Sequence, residues 1–164
     1  MRHVNILTLS KALQHLREQT LSSFDCYLSG NKLTVPCKSG LNPPVWELGH
    51  VAWFQEYWIG RNLQRSQGLA CDIAQARKAS ILHEADMWFD SAKVAHSTRW
   101  ELKLLTPQQC IAYANETLAQ TLALLEKETD NSPALYFYWL VLQHEAMHLE
   151  ASAYMAQSLG LPFK

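Results

Sequence analysis

Apolar residues recur every three to four positions along almost the whole chain, and no stretch alternates with period two for long enough to make a strand. That spacing restricts the chain to an all-α fold. Leu9, Leu13, Leu16 and Phe24 share one stripe of a first helix over residues 8–28, which Gly30 closes. Residues 31–41 hold Gly, Pro, Ser and Asn and read as a loop. Asn42 before Pro43-Pro44 predicts a second helix, with Asn as cap and Pro in the first turn, running to about Asn62. Thr106-Pro107-Gln108-Gln109 fits a capping box for a third helix. Its apolar face holds Ile111, Leu118, Leu122 and Leu125, and Asp130-Asn131-Ser132 ends it. Pro133 opens a fourth helix after a Ser cap, and Gly160 and Pro162 stop it at Leu159.

Four long amphipathic helices argue for a four-helix bundle. Short first and third connections predict that helices 1/2 and 3/4 are antiparallel neighbours. The second connection, residues 63–105, is about 43 residues long and should be structured, with a short helix at Leu69–Ala79. A crossover of that length lets helices 2 and 3 run parallel. The expectation is a single helical domain over residues 1–164.

Composition narrows the partners. Hydrophobic residues make up 48% of the chain, so a packed core is expected. Lys+Arg is 14 against 15 Asp+Glu, a net charge of −1, which offers phosphate no basic surface and argues against nucleic-acid binding. No apolar run approaches the roughly 18 residues of a membrane span, and the first residues do not read as a signal peptide. Cys26, Cys37, Cys71 and Cys110 form no C-x-x-C pair, so a reduced, cytoplasmic protein is expected. Charged residues are only 18%, against about 25% in ordinary domains. Tyr138 and Trp139 lie away from the face of His144, and Leu48 and Ile59 lie opposite His50. An apolar face used for a homo-oligomer or for docking a second domain is the expectation from that arrangement.

The chemistry concentrates in the histidines. His144 and His148 are four apart, about 40° around a helix, so both imidazoles can reach one metal. Phe137, Leu140, Val141, Met147, Ala151 and Met155 lie within about 60° of His144, which puts the pair in the core-facing stripe. The alternative is a pair hydrogen-bonded to neighbouring carboxylates. His144-Glu145-Ala146-Met147-His148 also matches H-E-x-x-H, the metalloprotease signature. The extended form of that motif fails, because Ala151 and Tyr154 stand where Gly and His are required, and no acidic residue follows Glu150. His50 offers a better third ligand, on the bundle face of helix 2 with Trp46, Trp53, Phe54, Tyr57 and Arg61. Glu150 lies about 160° from His148 and falls outside the ligand set, with an orienting or solvated role. His3, His15, His83 and His96 lack matching spacing and default to surface or loop roles.

The run from Asn42 through Trp46-Glu47-Leu48-Gly49-His50 to Phe54, together with His144-x3-His148-x-Glu150, resembles the DinB/YfiT-like superfamily. Within it the chain is similar to the N-terminal domain of ergothioneine-type sulfoxide synthases and their selenoneine-synthase relatives. Phe89-Asp90-Ser91-Ala92-Lys93-Val94-Ala95-His96 and the ending Ala153-Tyr154-Met155-x3-Leu159-Gly160-Leu161-Pro162 carry the same resemblance. It implies a bundle in which His50, His144 and His148 hold non-haem iron(II) that takes up a small thiol or selenol and oxygen. It also implies a partner, because those synthases continue into a formylglycine-generating-enzyme-like domain, which these 164 residues do not contain.

Three imidazoles on one side of a metal leave positions open, as catalytic sites do, and they suit zinc and nickel as well as iron. A free-standing divalent-metal-dependent thiol S-transferase, and a non-catalytic helical association domain, are the other readings open at this stage.

Overall fold

The computed structural model describes residues 5–162, all of whose regular structure is helical, with no strand among them. Four long helices carry the core: α1 (Ile6–Ser29), α2 (Pro44–Gln55), α4 (Pro107–Leu125) and α5 (Leu135–Ser158). A short α3 (Ala85–Phe89) lies in the crossover, flanked by 3-10 turns at Arg65–Ala70 and His96–Trp100. None of the described helices is long and apolar enough to cross a membrane.

Local chemistry sets the ends. Asn5 caps α1, its side chain accepting from the Thr8 N–H at 2.9 Å. Thr106 and Gln109 form the expected capping box on α4, each side chain bonded to the other's backbone N–H. Gly160, with φ +70°, closes α5, and the following Leu161 N–H returns to the Ala156 carbonyl at 2.9 Å.

Several expectations are corrected. Asn42 does not cap α2. Pro43 holds that position without a side-chain bond, and the Asn42 amide is used elsewhere. The end of the second helix widens into a π-turn, Glu56–Gly60. There the buried Glu56 carboxylate accepts from Ser80 Oγ (2.6 Å), the Ile81 N–H (2.8 Å) and Tyr113 Oη (2.7 Å). Residues 71–79 are not helical. Gly68, with φ +54°, breaks the turn before them where the chain presses on Pro133, and the Asp72 carboxylate accepts from the Ala74 N–H in a local turn. The third helix ends at Leu125, before Asp130, and the fourth starts at Leu135, after a turn in which Ser132 Oγ accepts from the Ala134 N–H.

The packing order also differs. α2 packs chiefly on α4, and α1 chiefly on α5, while the chain-consecutive pairs α1/α2 and α4/α5 meet less closely. On α4 the buried stripe is Cys110, Tyr113, Ala114, Thr117, Thr121 and Leu125, rotated from the predicted leucine face. Small residues let the neighbouring helices approach there, and the Thr117 hydroxyl is satisfied by the Ala114 carbonyl at 2.9 Å. On α5 the fully buried residues include Phe137, Tyr138, Val141, Glu145 and Met155, whereas Met147 is 56% exposed. Of the four residues that suggested an external apolar face, Leu48, Ile59 and Tyr138 are buried inside the chain, and Trp139 is half-buried.

Candidate metal centre

One face of α2 is held by the short α3. Trp46, His50 and Trp53 sit at spacings of four and three, so they project together. The Trp46 indole donates to the Trp88 carbonyl (2.7 Å), His50 Nδ1 to the Phe89 carbonyl (2.7 Å) and the Trp53 indole to Asp86 Oδ1 (2.7 Å). The approach depends on Gly49, because a Cβ there would lie 2.2 Å from the Phe89 ring. A carbonyl only accepts, so the His50 proton is on Nδ1 and Nε2 keeps its lone pair.

His148, on α5, is oriented in the same way by a carboxylate. Its Nδ1 donates to Glu47 Oε2 at 2.7 Å, and Asn42 Nδ2 donates to the other Glu47 oxygen. Arg99 completes this chain of contacts. Its guanidinium donates to Asn42 Oδ1 at 2.8 Å and lies 3.8 Å from the Trp46 ring centre. His144 makes no hydrogen bond among the described residues and is held by stacking on Phe54, centroids 3.6 Å apart and 4° from parallel. Trp46 stacks on His50 from the opposite end, at 4.8 Å and 10°.

The three histidines converge. Their ring centroids are 4.5–5.0 Å apart, and one ligand nitrogen from each lies within 4.8 Å of the others. Burial, with the His148 charge adding to it, pulls the His50 pKa from 6.5 to about 4. Burial and the charges of His148 and His50 take His144 to about 2. Both rings are therefore neutral near pH 7, as metal ligands must be. Burial pushes the Glu47 carboxyl upward, but the hydrogen bond and charge of His148 outweigh it and hold the group below the ordinary range. Ring nitrogens on one buried and two half-buried histidines, two of them backed by a carbonyl or a carboxylate on the far ring nitrogen, fit a divalent metal on donor chemistry alone.

Glu145 points away from this cluster. It is buried against Arg17, with Nε to Oε1 at 2.7 Å and Nη2 to Oε2 at 2.9 Å, while Gln55 and the Ala114 carbonyl take further guanidinium protons. The literal H-E-x-x-H motif therefore has no base at the histidines. Glu150 is exposed and makes no hydrogen bond or ion pair among the described residues. His15 and His83 are at the surface, each 3.9 Å from a glutamate, and His96 Nε2 lies 2.8 Å from the Leu41 carbonyl. His3 lies outside the described residues.

Sequence reasoning did not assign Glu47, Asn42, Arg99 or Phe89 to the site. Glu47 carried a readable signal, since it stands one helical turn before His50. The partner carbonyl of Phe89 carried none, because any residue has a carbonyl.

A hercynine oxygenase from Mycolicibacterium smegmatis is 28% identical over 154 residues, covering 94% of this chain and 32% of that protein. The chain thus spans about a third of the relative's length. The DinB superfamily is matched over residues 12–152, a span that includes His50, His144, His148 and Glu47, and the chain belongs to that superfamily.

Proposed function

We propose that His50, His144 and His148 hold one divalent metal, iron(II) in the first place and zinc or nickel as alternatives. On this reading the domain is the metal-binding part of a sulfoxide-synthase-type oxygenase acting on a small thiol or selenol, completed by a second domain or chain. The observation that supports it is the convergence of three ring nitrogens, two of them oriented by Glu47 and by the Phe89 carbonyl. The similarity to a hercynine oxygenase supports the oxygen chemistry.

Bound iron(II) would supply one-electron oxygen chemistry with coordination positions left open by only three protein ligands. The chain's own residues do the rest. Glu47 and the Phe89 carbonyl fix which ring nitrogen carries the proton, and Trp46 and Phe54 set the ring planes of His50 and His144. Trp53 and Phe54 flank His50 along α2, with ring centroids 6.0 and 6.4 Å from its own.

Metal analysis of the protein beside His50→Ala and His148→Ala variants tests the reading. One metal per chain is expected, lost in both variants. Stoichiometric metal retained in both would overturn it. Thiol consumption that proceeds without oxygen would instead favour the metal-dependent S-transferase.

A further inference from the structure

The 3-10 turn His96–Trp100 grips the stretch of chain that leads into α2 at three points. The Trp100 indole donates to the Val35 carbonyl (2.7 Å), His96 Nε2 lies 2.8 Å from the Leu41 carbonyl, and Arg99 Nη1 donates to Asn42 Oδ1 (2.8 Å). The first two contacts end on backbone. The third ends on a side chain that leads to a histidine. Unlike Arg17, Arg61 and Arg65, Arg99 forms no ion pair among the described residues.

A guanidinium only donates and an ionised carboxylate only accepts, so the Asn42 amide between Arg99 and Glu47 can sit only one way round. Its oxygen faces Arg99 and its Nδ2 faces Glu47 Oε1, which leaves Glu47 Oε2 for His148 Nδ1 at 2.7 Å. Without Arg99 the Asn42 oxygen loses its partner, and the amide is free to turn away from Glu47. The same guanidinium lies 3.8 Å from the ring centre of Trp46, and Trp46 stacks on His50. One cation thus stands behind two of the three converging histidines. We propose that Arg99 is a positioning residue for the metal centre, holding the His148 ring through Asn42 and Glu47 and the His50 ring through Trp46. What the rings bind rests on the proposed function; their orientation in the metal-free chain does not.

The test is a double-mutant cycle on the full chain. It is read by zinc affinity in a chelator competition and by the imidazole N–H signals of the metal-free protein. Arg99→Met and Asn42→Ala should each weaken zinc binding about tenfold. The double variant should lose no more than Arg99→Met alone, because both substitutions break one chain of contacts. In metal-free Arg99→Met the His148 Nδ1 proton should exchange with water several-fold faster than in the parent chain. Trp100→Phe breaks the neighbouring grip on Val35, and it should lower the melting temperature while leaving both readouts unchanged. Losses that add in the double variant, an unchanged His148 signal, or an equal zinc loss in Trp100→Phe would each overturn the inference. A parent chain that takes no zinc defeats the triad reading and leaves the imidazole signals to decide this one.

Discussion

Glu47 concentrates the site's dependence on a single side chain, because it fixes His148 while being fixed by Asn42. Residues that orient ligands typically cost 10–100-fold in metal affinity when removed. Glu47→Ala should therefore weaken metal binding by about 10–100-fold in a chelator competition, with a smaller loss in Glu47→Gln, which keeps an acceptor. Unchanged affinity in both would show that His148 needs no such partner. The histidines also make a pH prediction for the metal-free protein. His50 titrates at about 4 when folded and near 6.5 when unfolded, so the unfolded chain takes the proton first as pH falls. Stability present above about 6.5 is thus lost progressively toward pH 4, and His144 acts in the same direction. Thermal melts of metal-free protein should fall between pH 7 and 5, and His50→Gln should flatten the slope.

Between elements, the firmest polar tie is the Arg17–Glu145 pair linking α1 to α5, both side chains nearly inaccessible. Removing one member leaves a buried charge without its counterion, at about 3–5 kcal/mol. Glu145→Ala should therefore lower chemical-denaturation stability by that amount while leaving one metal per chain, since the pair faces away from the triad. Loss of metal without loss of stability would reverse the assignment of the H-E-x-x-H glutamate. At the start of α4, Thr106→Ala should cost about 1 kcal/mol through the lost cap. Caps of this kind were legible in the sequence because Thr, Pro and Gln act on backbone within one turn. The buried stripes of α4 and α5 were read less well. There two threonines, two tyrosines and a glutamate lie inside, and side-chain hydrophobicity alone cannot foresee that Arg17 on the adjacent α1 will neutralise Glu145. The convergence of the three histidines was legible because two of them share one helix face. Its supporting shell was not, since Arg99 and Phe89 come from a crossover whose short turns leave no periodic trace.

At the scale of the molecule, a metal held by the triad would be linked to the fold. A ligand that binds only the folded chain stabilises it by RT ln(1 + [L]/Kd), about 2.7 kcal/mol at a hundredfold excess over Kd. A rise in melting temperature on adding iron(II) or zinc anaerobically should therefore appear in the parent chain and vanish in His50→Ala.

The crossover makes that linkage local as well as global. Its residues 86–89 bond to Trp46, His50 and Trp53, and its Arg99 reaches His148 through Asn42 and Glu47, so this long segment holds one oriented histidine directly and is linked to the other through two side chains. By reciprocity, whatever coupling lets an ordered crossover tighten the metal also lets the metal order the crossover. A metal held by the triad would then work as a latch on the chain's longest connection. Limited proteolysis within residues 63–105 should slow on metal addition, and a chain nicked there should release its metal faster than the intact one. Equal cleavage rates with and without metal would mean that the segment is held by its tryptophans alone.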